Sequence, residues 1–496
     1  MYLDKKIKRM IIASVIAGGI FNLQLTNLSF TIPNSSFLIS NVAHAEIKTY
    51  VGVGKAMFDF GENDETIVNT VKAYAKSRAE QNAKEQAGVY LQTYSRSING
   101  KLANEEISAI TNNIVEVTNI QYKKLPYEAY NASHQSYGEI GIMYEATVTV
   151  RIDTDGINRY LSRDEQGRYN LVNQNNELQQ SINTNDNEFE NLRSRSASAA
   201  NESERNAIKS ELNNVDRELL AIQTLEEGNR LYYQGNYNDA IIKYNEVISL
   251  NAEYAEAYRY RGSAYDFLND RERAMADYNK AIALNPNDAW TYSLRALNYM
   301  RMEDYKSSVD DFTKAIHLNT TDKIYNSLNL VGRGMSYNAL KIPKRAIIDF
   351  DNAIKLRPDY AMAYYYRARA YNSLKEYSRA AGDYSKAIEL KSTDADYYKE
   401  RGIAYLELQI YDEALADFNK AIELKPSDST SYFYRGAAYH YLKQYDKAII
   451  DYTKAIDINS NFARAYYNRA LCYEKLSNNV RAQSDFAKAR TLGYNG

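Results

Sequence analysis

Cysteine, histidine and proline are scarce in this chain. Of 496 residues one is cysteine (Cys472), four are histidine (His44, His134, His317 and His440) and six are proline. A lone cysteine excludes a disulfide within the chain. With no two histidines at helical ligand spacing, the usual metal frameworks are closed as well, and no cofactor is expected. Cys472 reads as a small buried residue. An excess of basic charge is also missing, since Lys+Arg number 61 against 63 Asp+Glu. Nucleic acid and anionic membranes usually select a strong basic excess, so neither is an expected partner. Few glycines (21) and prolines imply short loops and long helices, and 47 tyrosines are available to pack them. The length exceeds what one core supports, which points to two or three domains.

Residues 1–45 read as a targeting segment. Lys5, Lys6, Lys8 and Arg9 precede an apolar run at 11–23, and Ala43-His44-Ala45 places small residues at a cleavage site. The run is shorter than the roughly 20 residues needed to cross a bilayer. A signal peptide cleaved after Ala45 is expected, with an uncleaved anchor as the alternative. The protein would then be periplasmic, envelope-bound or secreted.

From Ala221 to Gly496 the sequence aligns to itself in eight blocks: 221–254, 255–288, 289–322, 323–360, 361–394, 395–428, 429–462 and 463–496. Seven have 34 residues, and the fourth has four more, near Lys323 to Asn326. Small residues recur at block position 8, as in Gly228, Ala296 and Gly402, and at position 20, as in Ala240, Ser308 and Ala414. Position 24 is always Tyr or Phe. Spacings of 4, 7 and 8 in each half describe one buried helical face, so each block predicts two helices packed closely through the small residues. Asp288, Asp322, Asp394 and Asp428 close their blocks as natural N-caps, and Pro286, Pro358 and Pro426 stop the preceding helix.

A charged regularity accompanies the apolar one. Position 7 is Arg in blocks two to eight and position 23 is Asp, while the first block reverses both signs with Glu227 and Lys243. The joint reversal predicts that positions 7 and 23 meet within one block, because pairing across blocks would set Lys243 against Arg261. At position 28, Ile in the first seven blocks gives way to Arg490, and Gln483 replaces the apolar residue of position 21. The last helix is therefore expected to end the array as a polar cap.

This pattern resembles the tetratricopeptide repeat family over residues 221–496. The resemblance implies a mainly α fold, an eight-repeat α-solenoid wound as a right-handed superhelix, whose concave groove is lined by the first helix of each hairpin at positions 2, 5, 9, 12 and 13. Those positions select Tyr232, Tyr233, Arg259, Phe267 and Trp290 in the first three blocks. They select Tyr365, Arg369, Asn372 and Lys399 in the fifth and sixth, then Phe433, His440, Tyr441, Arg464 and Tyr467 in the last two. Aromatic and Arg side chains of this kind anchor protein interfaces. Replacing Phe433 and Tyr467 together by Ala is expected to weaken partner capture without altering helical content or melting. The family's clamp for a chaperone tail needs Lys and Asn at positions 5 and 9 of the first repeat, which here are Leu225 and Asn229.

Residues 46–161 read as a small α/β domain. A glycine-bearing strand at 46–60 precedes a long Ala-bearing helix from about Glu65 to Tyr94, with further strands near Asn113 to Tyr122 and Ile140 to Ile152. Its layout is similar to small envelope domains of the flagellar-assembly-T and outer-membrane lipoprotein type. Residues 162–220 read as a helical hairpin or coiled-coil linker, a stalk holding the two domains apart.

No catalytic constellation emerges. Gly52-Val53-Gly54-Lys55 has the wrong spacing for a phosphate loop and reads as a turn or bulge, and Asp153-Thr154-Asp155-Gly156 lacks the rest of a calcium loop. The expected function is a non-catalytic envelope scaffold that holds a protein or peptide in the groove. The alternative is an envelope or cell-wall protein anchored by the front domain, with the solenoid as spacer.

Overall fold

The computed structural model describes residues 48–58, 64–97, 104–125, 142–152, 165–319 and 321–494. Residues 1–45, read above as a signal peptide, His134 and the Asp153–Gly156 motif lie outside the described residues.

The front part is a three-stranded antiparallel sheet with order β1-β3-β2: β1 Lys48–Phe58, β2 Val115–Leu125 and β3 Ile142–Ile152. β1 pairs with β3 without interruption from Lys48↔Ile152 to Phe58↔Ile142, and β2 carries a bulge between Val117 and Asn119. Helix α1, Glu65–Ser97, crosses the inner face. Gly52 and Gly54 are neither turn nor bulge, since both sit inside β1. A Cβ added at Gly52 would lie 2.0 Å from the Ala79 carbonyl oxygen, and one at Gly54 would lie 2.3 Å from the Ala79 nitrogen. The glycine pair and the stripe of buried Ala75, Ala79, Ala83 and Ala87 let helix and strand backbones approach. A second helix, α2 Asn104–Ile114, precedes β2 and includes Asn113 and Ile114, which the sequence pattern places in a strand.

Two long helices follow, α3 Glu165–Ser198 and α4 Glu202–Tyr233. The expected hairpin forms, but it does not hold the domains apart. Leu171, Phe189, Leu192, Ile208, Leu212, Val215 and Leu219 share one core with the sheet and α1. Tyr74 stacks on Phe189 with ring centroids 3.8 Å apart, and its hydroxyl donates to Asn185 on α3. Leu178 belongs instead to the core of the first repeat, with Ala221, Ile222 and Leu225. α4 then runs unbroken into the first repeat as its first helix, so front domain and solenoid are joined through apolar contacts.

The solenoid alternates first and second helices. Repeat one ends with α5 Tyr237–Leu250; repeat two is α6 Ala255–Phe267 and α7 Arg271–Leu284; repeat three is α8 Ala289–Arg301 and α9 Tyr305–Leu318. α10 Lys323–Ala339 and α11 Pro343–Leu356 form repeat four, and α12 Ala361–Ser373 and α13 Tyr377–Leu390 form repeat five. α14 Ala395–Glu407, α15 Tyr411–Leu424, α16 Ser429–Tyr441, α17 Tyr445–Ile458, α18 Ala463–Lys475 and α19 Asn479–Thr491 complete the array. The two helices of each hairpin approach closely at the small residues, and those at position 8 face the ring at position 24: a Cβ on Gly402 would lie 2.7 Å from Phe418. Asp288 caps α8 by accepting from the Trp290 amide at 3.0 Å, and Asp428 caps α16 likewise. Arg490 and Gln483 are exposed at the last helix. The four extra residues of repeat four add one N-terminal turn to α10, where Tyr325 donates to the Ala289 carbonyl at 2.6 Å and stacks on Trp290.

Candidate functional site

A row of ion pairs runs along the solenoid between the first and second helices. Each Arg at position 7, from Arg261 to Arg469, forks onto the Asp at position 23 of its own repeat; in repeat two Nε donates at 2.8 Å and Nη2 at 2.7 Å. Lys243 and Glu227 form the sign-reversed counterpart at 3.3 Å. The remaining nitrogen reaches backward: Nη1 of Arg435 donates to Asn419 at 2.7 Å, and Nη1 of Arg401 to Ser385 at 3.0 Å. The guanidinium also lies over a tyrosine of its own helix, as Arg367 does over Tyr364 at 5.5 Å. One residue type thus fixes the register within a hairpin and between neighbours. These arginines are committed to the scaffold.

The first two repeats do not offer a free groove. The N-terminal half of α3 lies against them, and Glu177 ion-pairs with Arg259 and accepts from the Tyr260 hydroxyl at 2.8 Å. Arg259 also donates to Asp288 at 2.7 Å and is only 2% exposed. Burial alone would depress its guanidinium, but Glu177, with further help from Asp288, outweighs it and holds the group well above its usual value. The cavity between α3 and the repeats, about 380 Å³, is lined by Glu177, Glu188, Glu218, Glu256 and Asp288. Burial raises the Glu218 carboxyl, and the Glu256 and Glu188 charges add to that rise against a hydrogen bond with Asn251.

Beyond this plug the wall opens. Repeats three to five form a cleft of about 630 Å³ lined by Met300, Arg301, Tyr305, Met335, Asn338, Lys341, Pro343, Tyr366 and Arg369 among others. The buried carbonyl oxygens of the Asn338 and Asn372 side chains, both at position 12 of successive repeats, have no hydrogen-bond donor. The Asn372 amide nitrogen donates to Tyr384 at 3.0 Å.

The other predicted groove residues separate into groups. Arg369, Tyr441 and Phe267 are exposed, the last two with rings stacked on Tyr411 and Tyr237. Tyr232 and Tyr233 are half-buried in an aromatic cluster with Tyr237 and Phe267. Trp290 is covered by Tyr325, Tyr365 packs on Tyr397 at 4.9 Å, and Lys399 is held between Asp396 and Asp428. Phe433 is a correction. It is 2% exposed within the core of repeat seven, with Tyr452 and Phe462, so its removal would not leave melting unchanged. Arg464 lies over the Phe433 ring at 5.2 Å, and Tyr467 meets Phe486 edge-on. His440 Nδ1 lies 3.2 Å from Cys472 Sγ, where burial pushes the thiol up to about 12 and leaves it inert as a nucleophile. Met300, Met335, Asn338 and Arg301 were missed although they occupy positions 12, 9, 12 and 13, because the reading favoured aromatics. Among the described residues no cluster of three or more His, Cys, Asp or Glu could hold a metal, and no helix is long and apolar enough to cross a membrane.

Comparison with known proteins finds repeat profiles along the solenoid. Tetratricopeptide repeat profiles match residues 255–288, 343–395, 395–428, 429–462 and 451–484, and a profile described as TPR repeat matches 228–266. No curated protein is matched. Among solved structures, a tetratricopeptide repeat protein from Parabacteroides merdae is 22% identical, covering 49% of this chain and 94% of that one with a TM-score of 0.40. A MamA structure is 25% identical, covering 32% and 93% with a TM-score of 0.31. YrrB, described as a TPR protein with an unusual peptide-binding site, is 24% identical, covering 38% and 95% with a TM-score of 0.33.

Proposed function

We propose that this chain, a tetratricopeptide repeat protein from about Ala221 onward, is an exported, non-catalytic scaffold that captures an extended protein segment in the open part of its inner groove. Tetratricopeptide repeats mediate protein and peptide binding, and that much belongs to the repeats as a class. The finer reading rests on one observation, the cleft at repeats three to five, where apolar side chains and the unpaired Asn338 oxygen converge. A desolvated amide acceptor in a cleft favours a ligand that brings a backbone N–H, because leaving it unpaired costs about 1–3 kcal/mol. Export is supported by the basic start, the apolar run and Ala43-His44-Ala45, and the near balance of charge speaks against nucleic acid.

Site-specific photo-crosslinking in the native host tests the groove. A crosslinker at exposed Ser373, which lines the cleft, is expected to label a partner, whereas one at Ile348, 59% exposed and outside the cleft lining, is not. Equal labelling from both positions would remove the groove from the account.

A further inference from the structure

We propose that the cleft at repeats three to five selects an acidic segment carrying an apolar anchor, a specificity that rests on the groove reading above and narrows it. Three cations line the cleft, Arg301, Lys341 and Arg369, and none of the residues lining it is acidic. Arg301 is held by Asp266 of the second repeat. Lys341 and Arg369 have no carboxylate within ion-pair distance among the described residues, and Arg369 is poised 5.9 Å over Tyr365 and 6.0 Å over Tyr366. Glu400 lies within coulombic reach of Arg369 outside the lining, but two positive charges on a partly enclosed cleft whose own lining carries no acid raise the local concentration of anionic groups and penalise a cationic ligand.

The apolar half of the specificity comes from the floor. Met300 and Met335 are unbranched and polarizable, so they adapt to apolar side chains of different shape, while Tyr305 and Tyr366 supply rigid walls. The Asn338 oxygen adds an acceptor for a backbone N–H between these two kinds of contact. The cavity behind α3 is the electrostatic opposite, with five carboxylates around Arg259, and there Glu177 of the chain itself already occupies the cation. These two hollows therefore differ in sign, and the cleft at repeats three to five is the basic one.

The experiment pans a phage-displayed library of random peptides, about ten residues long, against the full chain. Two comparison proteins are a Lys341→Glu, Arg369→Glu double variant and a Met335→Ala, Asn338→Ala double variant. Glu303 occupies the turn position equivalent to Lys341 with the same left-handed backbone, φ 61° against 62°, so glutamate fits there. Thermal melting checks that both variants fold. The expected pool carries Asp or Glu beside an apolar residue, and charge reversal weakens its retention about tenfold, the loss of roughly one close charge contact. An enriched pool without acidic bias, lost by the Met335→Ala, Asn338→Ala variant, would overturn the acidic preference and leave the groove standing. A pool held equally by the chain and both variants, or no enrichment at all, would overturn both.

Discussion

Arg401 grips Asp417 with two parallel hydrogen bonds, Nε to Oδ2 at 2.8 Å and Nη2 to Oδ1 at 2.7 Å, while its third nitrogen reaches Ser385 of the preceding repeat. The carboxylate is nearly buried and the guanidinium only 20% exposed. Removing one partner of such a pair leaves the other desolvated and uncompensated, which is why the cost exceeds that of an exposed pair.

Asp417→Ala is therefore expected to destabilise the solenoid by roughly 2–3 kcal/mol, read from urea unfolding followed by circular dichroism. An Arg401→Glu, Asp417→Lys exchange, copying the first repeat, should recover only part of the loss, because a glutamate cannot donate to Ser385 as Arg401 Nη1 does. Full recovery would show that the contact to the preceding repeat contributes nothing.

Phe433 and Tyr441 lie on the same helix but differ in burial, 2% against 60% exposed. Phe433→Ala opens a cavity among Tyr434, Tyr452 and Phe462 and should cost about 3–5 kcal/mol, whereas Tyr441→Ala should stay within about 0.5 kcal/mol. Differential scanning calorimetry of the two variants checks the contrast, and equal melting would contradict the placement of Phe433.

Gly54→Val forces side-chain atoms against the α1 backbone at Ala75 and Ala79. The expected result is a loss of about 3 kcal/mol or more, with faster hydrogen exchange through α1 and β1, while Val53→Ala, on the open face of the same strand, is nearly neutral. Slow exchange retained in Gly54→Val would mean that helix and strand can separate without penalty.

Glu218 sets a pH dependence at the junction of hairpin and solenoid. Burial, with Glu256 and Glu188 adding, holds its carboxyl above the usual glutamate value, while the hydrogen bond with Asn251 opposes the rise. An acid with a raised folded-state pKa stabilises the fold fully below its unfolded value, and that contribution is lost as pH rises through the folded value. Glu218→Gln should then melt higher than the parent chain at neutral pH, and the difference should shrink as the pH falls through the carboxylate range. A difference independent of pH would exclude a role for this ionisation.

The repeat array was legible because its signals are local and repeated. A glycine or alanine at position 8 and a ring at position 24 return in every block, and the reversed pair Glu227 and Lys243 discloses a contact that seven like-signed pairs alone would leave ambiguous. The groove was much less legible. Residues at the same block position take different environments, so that Phe433 turns into the core while Lys399, its equivalent in repeat six, forms ion pairs with Asp396 and Asp428. The choice depends on which neighbours each repeat presents, and those change from block to block.

By itself the amino-acid order determined the periodic part of this protein: two helices per block, their capping, their ion pairs and the polar face at Gln483 and Arg490, since each follows from spacing along one chain. Tertiary structure alone decided where the wall is open. Leu171, Leu178 and Ile182 would suit any helix partner, and only packing sends Leu171 into the sheet core, Leu178 into the first repeat and Glu177 onto Arg259. Contacts between segments 82 residues apart in sequence have no period to announce them. They are settled by the shapes and charges that meet when the chain folds back on itself.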